Sequence, residues 1–193
     1  MDKQQEKEIA ALMKAAREKA RGYADHFSWA LDRDLEEWGV VVSLNEALQK
    51  HNHSAFSNIE ARGRGNDPPD CEALNVSGDK TAIEVTELVS EEALKAYKAG
   101  QHYVWADWNK ETFLNAISGL IQRKNERFEF LKGGPYPGGY VLVIFTDEPL
   151  LDKHSIAEYL QEYRPPRAEN LTAIYLLMFY DPSEDEYPVF RIK

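Results

Sequence analysis

The chain of 193 residues contains a single cysteine, Cys71, which excludes an internal disulfide framework and a cysteine-rich zinc site. It also lacks any apolar run near the roughly 20 residues that span a bilayer. Its N-terminal segment is charged throughout and has no apolar core typical of a signal sequence. These absences predict a soluble, cytoplasmic protein with no membrane partner.

Positive charge is scarce as well, because 33 Asp and Glu outnumber 23 Lys and Arg and give a formal net charge of -10. Such a charge argues against a protein that coats nucleic acid non-specifically, although it leaves room for a local basic patch. Hydrophobic residues make up 43% of the chain, which is typical of a globular fold and not of a disordered one. At this length the chain fits a single domain, residues 1–193.

The N-terminal part is predicted to be helical. Apolar residues recur at helical spacing over residues 9–20 and indicate an amphipathic helix. A second helix is predicted over residues 25–37, stopped by Gly39 and followed by an extended link at residues 40–42. A capping box at Ser43 to Glu46 then predicts a short helix that ends at about Lys50.

A β-hairpin is predicted in the middle of the chain. Pro68 and Pro69 make the preceding segment irregular, so a strand is expected to begin at Asp70 and to end near residue 76. The turn at residues 77–79 and the β-branched stretch at residues 81–89 supply the rest of the hairpin. Because side chains alternate along a strand, Glu84 shares a face with Thr86 and not with its immediate neighbours.

The longest later helix is predicted over residues 110–132. Its apolar positions leave a gap between Leu120 and Phe128, and Lys124 fills that gap four residues from each. The sequence therefore places a lysine on the buried stripe of this helix. There it extends to solvent, pairs with a carboxylate, or carries its ammonium group to a functional site.

The remaining elements define the fold class. Nearly continuous apolar runs at Tyr140–Thr146 and residues 171–180 are typical of strands covered on both faces. Further elements are predicted as a strand at residues 56–62, helices at Glu91–Lys98 and residues 153–163, and an edge strand at residues 189–192. This order predicts an α/β protein, a three-layer-like sandwich with a mixed central β-sheet flanked by helices.

Two carboxylates of the predicted hairpin are candidates for chemistry. Glu84 lies in the middle of an apolar strand, where a carboxylate is costly unless it is paired or bound to a metal. Asp70 either caps a turn after the prolines or adds a second carboxylate to the same face. A rigid hairpin that presents two carboxylates is a common way to hold a hard divalent cation.

The segment Asn66-Asp67-Pro68-Pro69-Asp70, followed by Ile83-Glu84-Val85-Thr86-Glu87-Leu88, resembles the PD-(D/E)xK nuclease superfamily. It looks like a group of small bacterial and phage members. The resemblance covers residues 43–146 and implies a restriction-endonuclease-like core of order αβββαβ. Residues 1–42 then form an N-terminal helical extension, and residues 147–193 a C-terminal helix and strands that complete the sheet.

The resemblance implies a nuclease that hydrolyses phosphodiester bonds of DNA with Mg²⁺ or Mn²⁺. Carried over to this chain, it makes Asp70 and Glu84 metal ligands, with the backbone carbonyl of Val85 beside them. Thr86 stands where the family has its lysine and cannot supply a positive charge, so it becomes a passive hydrogen-bonding neighbour. Lys124 is then the candidate for a relocated catalytic lysine that orients or activates the attacking water.

Four arginines flank the proposed centre: Arg62, Arg64, Arg123 and Arg127. They form a local basic rim that contacts phosphates, or they are scattered surface charges that solubilise the fold. The expected partners are nucleic acid, DNA in preference to RNA, and a second copy of the chain in a homodimer. The alternatives are a catalytically inactive nuclease-fold protein that acts as a binding or immunity-type partner, and an α/β binding module without nuclease ancestry.

Overall fold

The structure, a computed structural model, describes residues 23–24, 33–53, 56–102 and 105–193. Over these residues it is an α/β fold in which one open, mixed sheet of six strands is accompanied by four α-helices. The helix predicted at residues 9–20 and most of the one predicted at residues 25–37 lie outside the described residues. No helix within these ranges combines the length and the apolar character needed to cross a membrane.

The helices and strands follow the predicted order. They are α1 (Arg33–Lys50), β1 (Ser57–Ala61), β2 (Cys71–Leu74), β3 (Lys80–Glu87), α2 (Glu91–Lys98), α3 (Lys110–Glu126) with a 3₁₀ turn (Arg127–Phe130), β4 (Tyr140–Thr146), α4 (Lys153–Leu160), β5 (Ala173–Met178) and β6 (Val189–Arg191). The strands lie side by side in sequence order. The three central strands β3, β4 and β5 are parallel, and the outer neighbours pair antiparallel.

Helices cover both faces of the sheet. On one face, α1 packs Val40, Val41 and Leu44 against alternate residues of β3, β4 and β5. On the other face, α3 and α4 pack against the residues in between, such as Leu142 and Ile144. Every residue of β4 and β5 is buried, which explains their nearly continuous apolar sequence.

The predicted stop at Gly39 and the extended link at residues 40–42 are wrong, because α1 runs unbroken through both. A glycine inside a helix costs about 1 kcal/mol relative to alanine. Val40, Val41 and Leu44 are each 0% exposed, and burying one such side chain contributes about 1.5–3 kcal/mol. Packing against the sheet therefore outweighs both the glycine and the β-branched run, and α1 crosses the predicted boundary between residues 42 and 43.

The long helix α3 ends at Glu126, six residues earlier than the predicted end at 132. The carbonyls near its end find partners outside the helix. Tyr140 Oη donates to the Lys124 carbonyl at 3.1 Å, and Asn170 Nδ2 donates to the Asn125 carbonyl at 3.1 Å. These bonds satisfy the groups that a longer helix would have paired internally, so the chain changes to a 3₁₀ turn.

The predicted hairpin is present, with Cys71 opposite Ile83 and Leu74 opposite Lys80. Its first strand ends at Leu74 and not near residue 76, because Asn75 Oδ1 accepts hydrogen bonds from the turn. At the other end β2 begins only at Cys71, whereas β3 continues to Glu87. The two strands therefore separate beyond Ile83, and a gap opens beside the last residues of β3.

Candidate metal centre

Three carboxylates converge at this gap. One oxygen each of Asp67, Asp70 and Glu84 lies within 4.8 Å of the other two. The hairpin register explains part of this arrangement, because the pair that follows Cys71 and Ile83 along the hairpin is Asp70 and Glu84. The structure thus brings together the two carboxylates singled out in the sequence and adds Asp67, which had no predicted role.

Asp70 is held by the backbone of β3 at Val85, which has no partner in β2 because β2 begins only at Cys71. The Val85 N–H donates to Asp70 Oδ2 at 2.7 Å. Asp70 is only 4% exposed, and burial, reinforced by the charges of Glu84 and Glu37, raises the pKa of its carboxyl to about 8. Without a bound cation, the Asp70 carboxyl therefore keeps its proton to a higher pH than an ordinary aspartate.

Glu84 is 0% exposed, and its two oxygens have different surroundings. Oε1 accepts a hydrogen bond from Lys124 Nζ at 2.6 Å and lies 2.7 Å from Arg127 Nη1. Oε2 is buried and accepts no hydrogen bond from any residue that the structure describes. Because an unpartnered buried carboxylate oxygen is costly, Oε2 is the atom of this site that is open to a further ligand.

Lys124 reaches the carboxylates from the last turn of α3. Its Nζ donates to Glu84 Oε1 and, at 3.1 Å, to the backbone carbonyl of Val85. The side chain is 13% exposed, so the stem is covered while the ammonium group touches the buried acid. The inward position predicted for Lys124 is confirmed, and of the three possibilities open from the sequence the structure shows pairing with a carboxylate.

Arg127 follows Lys124 by three residues and reaches the same carboxylates from the beginning of the 3₁₀ turn. Its Nη1 contacts Glu84 Oε1, and its Nη2 donates to Asp67 Oδ1 at 2.7 Å. One planar guanidinium thus bridges two of the three carboxylates. Burial lowers the pKa of Arg127, but the charges of Glu84 and Asp67 outweigh it and raise the pKa above its usual value.

The irregular segment that carries Asp67 is fixed by hydrogen bonds to its backbone. Lys132 Nζ donates to the Asp67 carbonyl at 2.6 Å, and the Lys132 N–H donates to the Pro68 carbonyl at 2.8 Å. The Asn66 side chain donates to the Arg62 carbonyl at 3.0 Å. These bonds hold Asp67 beside the hairpin although it belongs to no strand.

The N-terminal half of α1 brings a fourth carboxylate close to the site. Glu37 pairs with Arg33, whose Nε lies 2.7 Å from Glu37 Oε1. Burial raises the pKa of Glu37 despite this pairing. Glu37, Lys124 and Thr86 line the same surface cavity of about 220 Å³. Thr86 therefore faces the same cavity as the positively charged side chain of Lys124.

The four predicted rim arginines fall into two groups. Arg62 pairs with Glu72 at 3.0 Å and its side chain is only 19% exposed. Arg127 is paired with the acidic residues, as described above. Arg64 is exposed and lines a small cavity next to the carboxylates, and Arg123 is exposed on α3 one turn before Arg127. Only Arg64 and Arg123 thus keep the exposed position that the predicted rim requires.

The donor set fits a hard divalent cation. Carboxylate oxygens, with a backbone carbonyl beside them, are the ligands that Mg²⁺, Mn²⁺ and Ca²⁺ prefer. Oxygens on opposite sides of Mg²⁺ are about 4 Å apart, so the carboxylate group needs only a small contraction to hold one ion. Glu84 Oε2 offers an unused ligand atom, whereas Oε1 is already taken by two cations.

Asp70→Asn is expected to flatten the pH dependence of stability of the metal-free protein. The raised pKa means that the stability contributed by protonated Asp70 is fully present below about pH 4, the unfolded value. It is lost as the pH rises through about 8. Asparagine stays neutral and still accepts the Val85 N–H, so thermal melts in EDTA should show the variant gaining on wild type by several °C toward high pH.

If the three carboxylates bind Mg²⁺, a saturating concentration should reverse that order, because wild type then gains binding energy that the variant lacks. Parallel curves of melting temperature against pH for the two proteins in EDTA would contradict the raised pKa of Asp70 in the metal-free protein.

No protein-family model, curated protein or solved structure matches this chain.

Proposed function

We propose that the protein is a metal-dependent nuclease that hydrolyses phosphodiester bonds of DNA. Asp70, Glu84 and Asp67 bind Mg²⁺ or Mn²⁺, with the Val85 carbonyl beside them. The observation that carries the proposal is the state of Glu84, a fully buried carboxylate with one oxygen on Lys124 and the other without a partner among the described residues. A purely structural ion pair would satisfy both oxygens.

The arrangement of the elements supports a restriction-endonuclease-like core. Helix α1, the antiparallel strands β1 to β3, the helix α3 and the parallel strand β4 follow the order αβββαβ implied by the resemblance, with the short helix α2 inserted between β3 and α3. Asp70 lies immediately before the start of β2 and Glu84 lies in β3, the two strands on which the resemblance puts its aspartate and glutamate. The separation of β2 and β3 also frees the backbone of Val85 to take part in the site.

Phosphodiester hydrolysis requires stabilisation of charge on the phosphoryl oxygens and removal of a proton from water. A divalent cation held by the three carboxylates supplies positive charge to those oxygens and acidifies water. The protein positions this chemistry with rigid groups: Asp70 is fixed by the Val85 N–H, and Glu84 by Lys124. Such preorganised charge is the main contribution of a protein to phosphoryl transfer.

Lys124 supplies the positive charge that Thr86 lacks. An ammonium group has three donors, and two of them are directed at Glu84 and Val85. The third donor remains for the attacking water or for a phosphoryl oxygen. Lys124 and Thr86 line one cavity, so the positive charge lies beside the position at which the family has its lysine.

The direct test is cleavage of supercoiled plasmid, linear duplex DNA, single-stranded DNA and RNA in Mg²⁺ or Mn²⁺, with EDTA as the control. We expect cleavage of DNA with either metal and none in EDTA. Cleavage that persists in EDTA would contradict the proposal. Metal binding without cleavage of any substrate would instead favour the second hypothesis, a catalytically inactive nuclease-fold protein that acts as a binding partner.

A further inference from the structure

Arg127 occupies the carboxylates to which the proposed function assigns the metal. Its guanidinium touches Glu84 Oε1 and Asp67 Oδ1, each at 2.7 Å. A guanidinium and a metal ion cannot both pair with these two carboxylates at full strength, because both draw on the same negative charge. In the metal-free protein, the Arg127 guanidinium therefore supplies the positive charge that a bound metal ion would supply.

We propose that Arg127 is an exchangeable counter-ion. It neutralises Glu84 and Asp67 while no metal is bound, leaves them when a divalent cation binds, and then contacts a phosphate of the nucleic acid. This inference rests on the proposed metal-dependent nuclease and adds an order of binding to it, with the metal before the nucleic acid.

The surroundings of the two cations explain why Arg127 leaves and Lys124 stays. Lys124 is 13% exposed and also donates to the Val85 carbonyl, which ties it to the backbone of β3. Arg127 is 33% exposed, and its partner Asp67 is 35% exposed, so water screens their attraction. Among the described residues, Arg127 pairs with the carboxylates of Asp67 and Glu84. Once a metal neutralises them, the attraction that holds the guanidinium is removed.

The charge balance explains why release matters for nucleic acid. In the contact network itself, Asp67, Asp70 and Glu84 face Lys124 and Arg127, and Glu37 pairs with Arg33. The adjoining cavities are lined also by Asp34, Glu36, Glu87 and Arg64, so the metal-free surroundings are net negative and do not attract a phosphate. A divalent cation adds two positive charges to the network and frees a guanidinium whose fork matches phosphate oxygens.

The net charge of -10 makes such a switch effective. A protein with this charge repels DNA over most of its surface, so binding depends on a local positive site. If that site becomes positive only with metal, the protein has little affinity for DNA in EDTA. Arg127 couples metal binding to DNA binding, because the same side chain pairs first with the carboxylates and afterwards with a phosphate.

Arg127→Gln tests the exchange. Removing a unit charge a few ångström from the ion should tighten Mn²⁺ binding at least roughly tenfold in a calorimetric titration. The same variant should bind labelled duplex DNA in Ca²⁺ at least roughly tenfold more weakly than wild type, because a phosphate contact is lost. Ca²⁺ is used for this arm because it binds oxygen ligands like those of Mg²⁺.

Two further variants make the result specific. Arg167→Gln removes the same charge from an exposed pair with Glu169 before β5, and it should change neither affinity. Arg127→Lys keeps the charge but cannot bridge both carboxylates, and it should give an intermediate Mn²⁺ affinity. If Arg127→Gln does not fold in a thermal melt, the lysine variant still decides the question.

The outcomes separate this inference from the proposed function. Tighter Mn²⁺ binding and weaker DNA binding by Arg127→Gln support the exchange. This holds also if the wild-type protein binds Mn²⁺ only weakly. Unchanged Mn²⁺ affinity in both Arg127 variants, with wild type binding the metal, overturns the exchange but leaves the nuclease proposal standing. Absence of Mn²⁺ binding in wild type and in both variants overturns both.

Discussion

Glu84→Gln is expected to weaken Mn²⁺ binding by at least roughly a hundredfold, since changes even behind metal ligands cost about 10–100-fold. It should also abolish cleavage of DNA. The amide keeps the shape of the side chain but removes the charge that both Lys124 and Arg127 neutralise. Removing one partner of a buried ion pair destabilises by about 3–5 kcal/mol, so a lower melting temperature is expected as well.

The matched control for this substitution is Glu72→Gln. Glu72 is another carboxylate of the hairpin, with a side chain 13% exposed, and it pairs with Arg62 and Lys80 at 3.0 Å each. Its loss should lower stability without changing Mn²⁺ affinity. Calorimetric titration below the melting temperature of each variant separates the two effects. Equal Mn²⁺ affinities of wild type and Glu84→Gln would contradict the assignment of the metal to this site.

Lys124→Met is expected to slow cleavage by about 10²–10⁴-fold, the range for loss of a positioned proton-transfer group. Methionine keeps the apolar stem, so α3 should still pack on the sheet. Mn²⁺ binding should persist or become tighter, because Glu84 Oε1 loses a competing cation. The expected signature is thus a fall in cleavage rate without a fall in metal affinity.

Lys80→Met provides the comparison for that experiment. Lys80 lies on the same strand as Glu84 and pairs with Glu72, outside the carboxylate group. It should cleave DNA like wild type. A Lys124→Met protein that also cleaves at the wild-type rate would show that the lysine only pairs with Glu84, and loss of Mn²⁺ binding would show that it only keeps the site folded.

The elements predicted correctly are those whose signals are local. Helix α2 and strand β4 have the predicted bounds, because a serine cap and a continuous apolar run determine each of them. The wrong predictions concern helices whose ends depend on contacts with residues distant in the sequence. Burial of Val40 and Val41 against the sheet keeps α1 continuous past Gly39, and Asn170 helps to end α3 early. Neither contact has a signature in the neighbouring sequence.

The site shows the same division. Strand parity placed Glu84 on the same face as Thr86, and helix periodicity placed Lys124 on the buried stripe of its helix; in the structure the two side chains meet at 2.6 Å. Asp67 was missed although it stands three residues before Asp70, because an irregular segment has no periodicity that fixes where its side chains point. The direct contact of Arg127 with Glu84 follows from its spacing of three from Lys124, a signal that the sequence does contain.

Glu37 could not have been anticipated, because the predicted helix ended at that residue. Only the continuous α1 carries its side chain into the cavity beside Lys124 and Thr86. The acidic site therefore contains more carboxylates than the hairpin alone suggested, and Arg33 and Lys124 from two helices offset part of their charge.

The central claim is that Asp67, Asp70 and Glu84 together bind a divalent metal ion. Its most direct test is an anomalous difference map from crystals of the wild-type protein soaked in Mn²⁺. We predict one strong peak about 2–2.5 Å from an oxygen of each of the three carboxylates, Glu84 Oε2 among them, with Arg127 turned away. A map with no peak at these carboxylates, from crystals in which Mn²⁺ is bound elsewhere or not at all, would contradict the account.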